Sequence, residues 1–217
     1  MVKSYKAINL GCGLNPIENF TNYDFNYFII FGKIPLIKTL FSTMPFIPKP
    51  FLEIMELSKK KKIHHCNVAA SIPEKENSID LIYSSHLVEH LDKAETSLFF
   101  KNCIKILKPG GILRIVVPDF DILIDKYLNN KDVDEFIYSS CLVGEKPKSL
   151  LKKLQYMIQG HGWHHQMFTK KSLKKKLEMH GYKSIKFFKE GESDISFSNK
   201  INYFDHEGIS IYCECRK

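Results

Sequence analysis

Ala7-Ile8-Asn9-Leu10-Gly11-Cys12-Gly13, followed at a short distance by Asn22-Tyr23-Asp24-Phe25, is the stretch on which the fold turns. A short apolar run ending in glycines has the form of a buried parallel strand that feeds a tight turn. In a doubly wound sheet this turn must let a ligand approach the main chain, and glycine removes the Cβ that would block it. Glycine pairs also make plain turns, so Gly11 and Gly13 need company to mean more. The third glycine of the dinucleotide pattern is missing, with Pro16 standing in its place, which disfavours a grip on pyrophosphate and favours a cofactor without phosphates. Asp24 closes the second strand, where a carboxylate can accept both hydroxyls of a ribose. It follows Gly13 by 11 residues, against about 20 in dinucleotide folds, so any connecting helix is very short. An aspartate that caps a turn is the alternative reading.

Working outward, residues 63–66 and 79–84 read as a third and fourth strand, and residues 94–107 carry Leu98, Phe99, Ile104 and Leu107 at helical spacing. Pro109-Gly110-Gly111 is expected to stop that helix and reverse the chain into a fifth strand over 112–117. A helix over 172–180 closed by Gly181, then strands over 184–188 and 209–215, complete the pattern. Strands separated by helical segments predict an α/β fold, a doubly wound, mostly parallel sheet joined by right-handed crossovers. Residues 27–62 fit neither one strand nor one long helix. Prolines at 35, 45, 48 and 50 break the segment into short helices, and it reads as an insertion after the second strand that serves as lid, interface or membrane-facing segment. The 217 residues otherwise form one domain, long enough to bury a core without staples.

Composition narrows the function classes. The formal charge of +8 comes almost wholly from lysine, arginine occurring only at Arg114 and Arg216. Specific recognition of bases tends to use arginine's planar fork, so the charge is read as a solvated surface and a nucleic-acid partner is disfavoured. The lysine runs within 59–62 and 170–176, beside the apolar insertion, leave a peripheral membrane contact as a further possibility. Cys12, Cys66, Cys103, Cys141, Cys213 and Cys215 are scattered, several in apolar runs, which suits a reducing cytoplasmic setting. Neither a signal segment nor an apolar run long enough to span a membrane stands out. Nothing in the sequence sets the oligomeric state.

The segments INLGCG, NYDF, IDLIYSSHLVEHL, LKPGGILRIVVPDF and ISIYCECRK, in this order, resemble a predicted family of class I S-adenosylmethionine-dependent methyltransferases, a methyltransferase type 11-like group with a short spacing between glycine turn and aspartate. The resemblance covers most of the chain and is weakest over 27–62. It implies a Rossmann-like seven-stranded sheet and S-adenosyl-L-methionine as cofactor. Leu10, Gly11, Cys12 and Gly13 would lie under its methionine part and ribose, and Asp24 would hold the ribose diol. Asn67, with Val68 beside it, matches a position where the family usually has aspartate facing the adenine. An amide oxygen can still accept from the exocyclic amine but without charge assistance, and a turn residue bonding its own backbone is the competing reading.

Ser84, Ser85 and His86 follow the fourth strand at the carboxyl edge of the sheet, where ligands sit in this architecture. Glu89 and His90 are expected to position the turn rather than react. Methyl transfer from a sulfonium is an in-line displacement that needs mainly alignment, and a base only if the acceptor is a hydroxyl. Candidate bases are His86 and the histidines of His161-Gly162-Trp163-His164-His165, with Trp163 and Asp119 as candidate acceptor contacts. Asp119 capping the next helix is the alternative. A metal is not expected, because the cysteines and histidines lack paired ligand spacing. Arg114, a charge inside an apolar strand, requires a partner, with Asp119 or another edge carboxylate as candidates. The resemblance thus implies methyl transfer to a small or glycan-like acceptor, at oxygen. The rival is a protein that keeps the fold and binds cofactor but is catalytically weak, with an interaction or membrane role.

Overall fold

Every residue of β1 (Ala7–Leu10) is buried, as a strand with neighbours on both sides and cover on both faces requires. It pairs in parallel with β2 (Thr21–Asp24) and with β4 (Ile79–Ser85). Beyond β2 lies the short β3 (His64–His65), and beyond β4 the long β5 (Leu107–Pro118), both also parallel. The sheet is completed by β6 (Lys183–Phe188) and β7 (Ser210–Arg216), with β7 antiparallel to both β5 and β6. The resulting order is β3-β2-β1-β4-β5-β7-β6. In this computed structural model residues 5–44, 47, 49–60, 62–144, 146, 148, 149, 153, 162–196 and 200–217 are described. His161, Pro45, Pro48 and Lys61 fall outside them.

Side chains alternate across the pleat. Ile8, Leu10, Ile82, Leu113, Ile115 and Val117 point to a face that packs with Phe99, Phe100, Cys103 and Ile106 of α4 (Lys93–Ile106). Leu173 and Leu177, from the last helix (Lys170–Met179), join the same cluster. The alternate positions Ala7, Leu81, Tyr83, Ile112 and Val116 meet Ile17, Phe20, Ile195, Ile201 and Tyr203 from irregular segments. α4 begins at a capping box in which Asp92 accepts from Ala94 and Glu95 N–H and Glu95 returns a bond to the Asp92 N–H, as its sequence dictates.

Three departures from the sequence reading have local causes. The first concerns the β1–β2 link, where no helix forms at all. Asn22 instead ties the loop, its Oδ1 accepting from the Ile17 N–H at 2.8 Å and its amide donating to the carbonyls of Ile17 and Phe20. Asn9, buried beside it, donates to Asn22 Oδ1 at 3.1 Å. In the second, α4 ends at Ile106 and residues 107–111 already belong to β5, so Pro109 does not stop the helix. Leu107 pairs with Ile79 and Ile112 with Leu81, leaving the intervening residues as a bulge with Gly110 at φ +76°. The third is Arg114, whose partner is Glu214, directly opposite on β7, with Nη1 to Oε1 at 2.5 Å, and not Asp119.

The insertion holds α1 (Phe28–Phe31), α2 (Ile37–Ser42) and α3 (Lys49–Lys59), with Pro35 between the first two and Pro50 in the first turn of the third. Phe28 stacks on Phe51 at 4.7 Å and meets Phe31 and Phe41 edge-on. Together with Ile29, Ile54, Met55 and Ile63 these rings form a core of their own that also takes in Cys12. After β5 come α5 (Phe120–Asn130) and α6 (Val133–Ser140), and the last helix, Lys170–Met179, is α7 among the described residues. None of these helices is long and apolar enough to cross a membrane.

Candidate active site

The glycine turn projects from the carboxyl end of β1. Gly11 and Gly13 adopt φ +73° and +50°, the left-handed region that glycine enters without penalty. Their surroundings differ. A Cβ on Gly11 would sit 2.9 Å from Leu87 Cβ, whereas one on Gly13 would meet nothing within 4 Å. Gly11 is thus needed for packing, and Gly13 leaves bare main chain facing open space. The Gly11 and Cys12 N–H groups both donate to the Tyr23 carbonyl, at 2.9 and 3.1 Å, which staples the turn onto β2. Cys12 is buried, and burial, helped by Asp24, pushes its thiol far above the usual range.

Asp24 turns inward onto that turn. Oδ2 accepts from the Gly13 N–H at 2.8 Å and Oδ1 from the Asn26 N–H at 2.9 Å. Each oxygen keeps a further lone pair. Two neighbouring carboxylate oxygens so oriented could receive a vicinal diol such as that of a ribose. Phe25, half exposed, sits next to Asp24 with Tyr27 edge-on at 5.2 Å and His65 at 5.5 Å. Sequence reasoning passed over this aromatic surface, although an exposed ring directly after the ribose carboxylate was visible in NYDF. Asn67 follows the turn-residue alternative: its Oδ1 accepts from the Ala69 and Ala70 N–H groups at 3.0 and 3.1 Å. Val68 is buried in the main core.

At the end of β4 the three flagged residues diverge. Ser84 is fully buried and its hydroxyl has no partner among the described residues. Ser85, on the opposite face, donates to Asp205 Oδ2 at 2.5 Å, and Tyr83 donates to the same oxygen at 3.1 Å. A cleft of about 470 Å³ lies here, between residues 14–18 of the glycine loop and Tyr83, Asn202 and Asp205. A larger cleft, about 1050 Å³, is lined by the insertion with Ile63 and His64, and Gly13 is not part of its lining. The first is the better candidate for the acceptor side, since it borders both the glycine loop and the end of β4.

His86 has φ +48°, an uncommon conformation for a residue with a Cβ that concentrates at functional sites. The bend places Nε2 3.0 Å from Ser210 Oγ and Nδ1 3.1 Å from Glu89 Oε1. The His206 ring lies against it, with centroids 3.6 Å apart. Burial, with His86 alongside, holds the His206 imidazole below its usual pKa. Glu89 is on the 3₁₀ turn Val88–His90, fully buried. His90 meets the His164 ring at 5.0 Å and its Nδ1 lies 3.1 Å from the Trp163 carbonyl. Burial lowers the His164 pKa, against the upward pull of Glu89.

The structure therefore brings His86 and His164 to one locus, joined by Glu89, His90 and His206. His165 is exposed and reaches the locus through its backbone, its N–H donating to the Glu89 carbonyl at 2.7 Å. His161 lies outside the described residues. Trp163 packs its indole on Gly144, where a Cβ would come 1.8 Å from Nε1. Asp119 caps α5, accepting from the Asp121 N–H at 3.0 Å, and burial raises its pKa. No spacing rule links residues 86, 164 and 206, so only the fold could reveal their meeting.

Residues 47–115 match the family described as a methyltransferase domain, a span that runs from α3 through β4 and most of β5, and includes His86, Glu89 and His90. No curated protein matches the chain. Among solved structures, a SAM-dependent methyltransferase from Methanosarcina mazei is 17% identical with a TM-score of 0.54, the match covering 100% of this chain and 94% of that one. Another from Thermotoga maritima, described as a possible histamine N-methyltransferase, is 13% identical with a TM-score of 0.51, covering 100% of this chain and 84% of that one. At such identities the likeness is one of fold. The match of residues 47–115 to a methyltransferase domain and the fold shared with these structures converge on the class I methyltransferase fold, with Gly13 and Asp24 together at the carboxyl edge of its sheet.

Proposed function

We propose that this methyltransferase acts at an oxygen of a small, glycan-like acceptor, with the adenosyl group along Gly13 and the acceptor beside His86. The observation that carries the cofactor half is Asp24, whose carboxylate is turned onto the Gly13 N–H beside an open glycine face. S-adenosylmethionine supplies a methyl already activated by its sulfonium, so the protein's task is alignment and exclusion of water. Asp24 orients the ribose, Phe25 offers a flat surface for the base, and Leu87 fills the space behind Gly11. A hydroxyl acceptor must lose a proton, and a histidine at the end of β4 is suited to take it. His86, with Ser210 Oγ at Nε2 and the Glu89 carboxylate 3.1 Å from Nδ1, is the residue suited to this. Six free cysteines, five of them buried, accord with a reducing, cytoplasmic setting.

The test is calorimetric and catalytic. S-adenosylhomocysteine should bind saturably, and Asp24→Ala should weaken it by about 1.5–3 kcal/mol, the worth of a charge-assisted hydrogen bond. Affinity unchanged in that variant removes Asp24 from the site. Labelled-methyl transfer to sugars and hydroxy acids should fall in His86→Ala. Transfer to amines alone would overturn the oxygen acceptor, and tight cofactor binding with no product across both classes would favour the non-catalytic rival.

A second reading has one observation behind it. Leu36 is 82% exposed on a left-handed turn, near exposed Ile34 and Leu40 and beside Lys33 and Lys38. Apolar side chains flanked by lysines suit an anionic membrane surface. Co-sedimentation with anionic vesicles at low salt, lost in Leu36→Asp, is the expected result; absence of co-sedimentation disposes of it.

A further inference from the structure

Glu89 is fully buried, and neither of its carboxylate oxygens accepts a hydrogen bond among the described residues. The contact at 3.1 Å between Oε1 and His86 Nδ1 lacks hydrogen-bond geometry. A carboxylate taken out of water without donors is costly for a core to hold unless a cation completes it.

The imidazoles around it are prepared in a specific way. His90 Nδ1 lies 3.1 Å from the Trp163 carbonyl oxygen, which can only accept, so Nδ1 carries the proton and Nε2 the lone pair. His164 Nδ1 is buried with no hydrogen-bond partner among the described residues. The His90 ring is thus steered by main chain through one nitrogen, leaving the other available, as His164 Nδ1 is. This is the outer-shell arrangement that sets the tautomer of metal-ligating histidines. One ligand atom from each of Glu89, His90 and His164 lies within 4.8 Å of the others, so small side-chain rotations bring all three around one ion.

The geometry points to a site for a single divalent transition ion of the zinc class, held by Glu89, His90 and His164. Two imidazoles and a carboxylate are a donor set that suits zinc, iron or nickel better than magnesium or calcium. Three protein ligands leave a fourth position for water or an acceptor oxygen. The expectation of no metal rested on paired spacing along the chain. Here two ligands are adjacent on one 3₁₀ turn and the third comes from the segment before α7. The site does not rest on the acceptor reading, because its test measures ion binding.

The full chain, stripped with chelator, is titrated with zinc(II) by calorimetry and with cobalt(II) by visible absorbance. Saturable uptake of one ion per chain is expected, with the intense visible bands of low-coordinate cobalt and a raised thermal midpoint. Glu89→Gln and His164→Ala should each weaken binding by about tenfold or more, as loss of a ligand should cost no less than loss of an outer-shell partner. His90→Ala provides the same reading should either variant fail to fold. No saturable binding by the native chain overturns the site, and so does binding of equal affinity in the folded variants, which would assign the ion to surface histidines. An unchanged thermal midpoint on zinc addition also counts against it, leaving Glu89 as a partner for a protonated His86.

Discussion

Asp24 ends β2 and Glu89 follows β4, the two strands that flank β1, yet they stand in opposite electrostatic situations. Asp24 accepts one backbone N–H on each oxygen, while the fully buried Glu89 carboxylate accepts none among the described residues. The first carboxylate is completed by residues within a short stretch of its own chain. The second is surrounded by groups from 86, 90, 164 and 206 that only the fold assembles. A site completed locally can be read from sequence; one completed by assembly cannot, and its unmet bonding capacity is what marks it.

The contrast can be broken most forcefully at the glycine turn. Gly11→Ala forces a Cβ to 2.9 Å from Leu87 in a left-handed conformation, and overpacking together with backbone strain should cost roughly 2–5 kcal/mol of stability. Gly13→Ala carries only the backbone strain, about 1–2 kcal/mol, but should abolish much of the cofactor affinity, since its methyl group enters the open space. Chemical denaturation and calorimetry on both variants separate the two effects. Equal losses of stability would mean that Gly13 is packed as Gly11 is.

A smaller effect tests the other carboxylate. With zinc(II) at tenfold excess over its dissociation constant, binding to the folded chain alone adds about 1.4 kcal/mol. This should appear as a rise of roughly 3–6 °C in thermal midpoint, reversed by chelator. Asn67→Ala gives the smallest change: loss of the two N–H bonds should lower stability by about 1 kcal/mol and leave cofactor affinity near native. A large affinity loss instead would return Asn67 to the adenine edge.

The same contrast explains what was legible. β1 was fixed residue for residue by its apolar run and glycine stop, and α4 to within a residue by the spacing of its apolar positions. Strands at the centre of a parallel sheet are buried on both faces and say so in composition. The start of β5 was misread because Pro109 and two glycines signal a break, yet a bulge absorbs them beside β4 and Lys217. α6 went unread, although Asp132, which accepts from the Glu135 N–H at 2.9 Å, marked its start. Of the site, the glycine turn and Asp24 were visible as a pair. Asp205, His206 and Ser210 were not, because their meeting with β4 spans more than a hundred residues and follows no period.

The knot that replaces a helix between β1 and β2 carries a consequence of its own. Asn22 uses both halves of its amide there, accepting from Ile17 and Asn9 and donating to Ile17 and Phe20. Aspartate could not donate to those carbonyls, and leucine could do neither. A chain that shortens this crossover to the 10 residues between Leu10 and Thr21 therefore depends on an amide at its end, so the brevity of the link and the identity of residue 22 are one trait that must be inherited together.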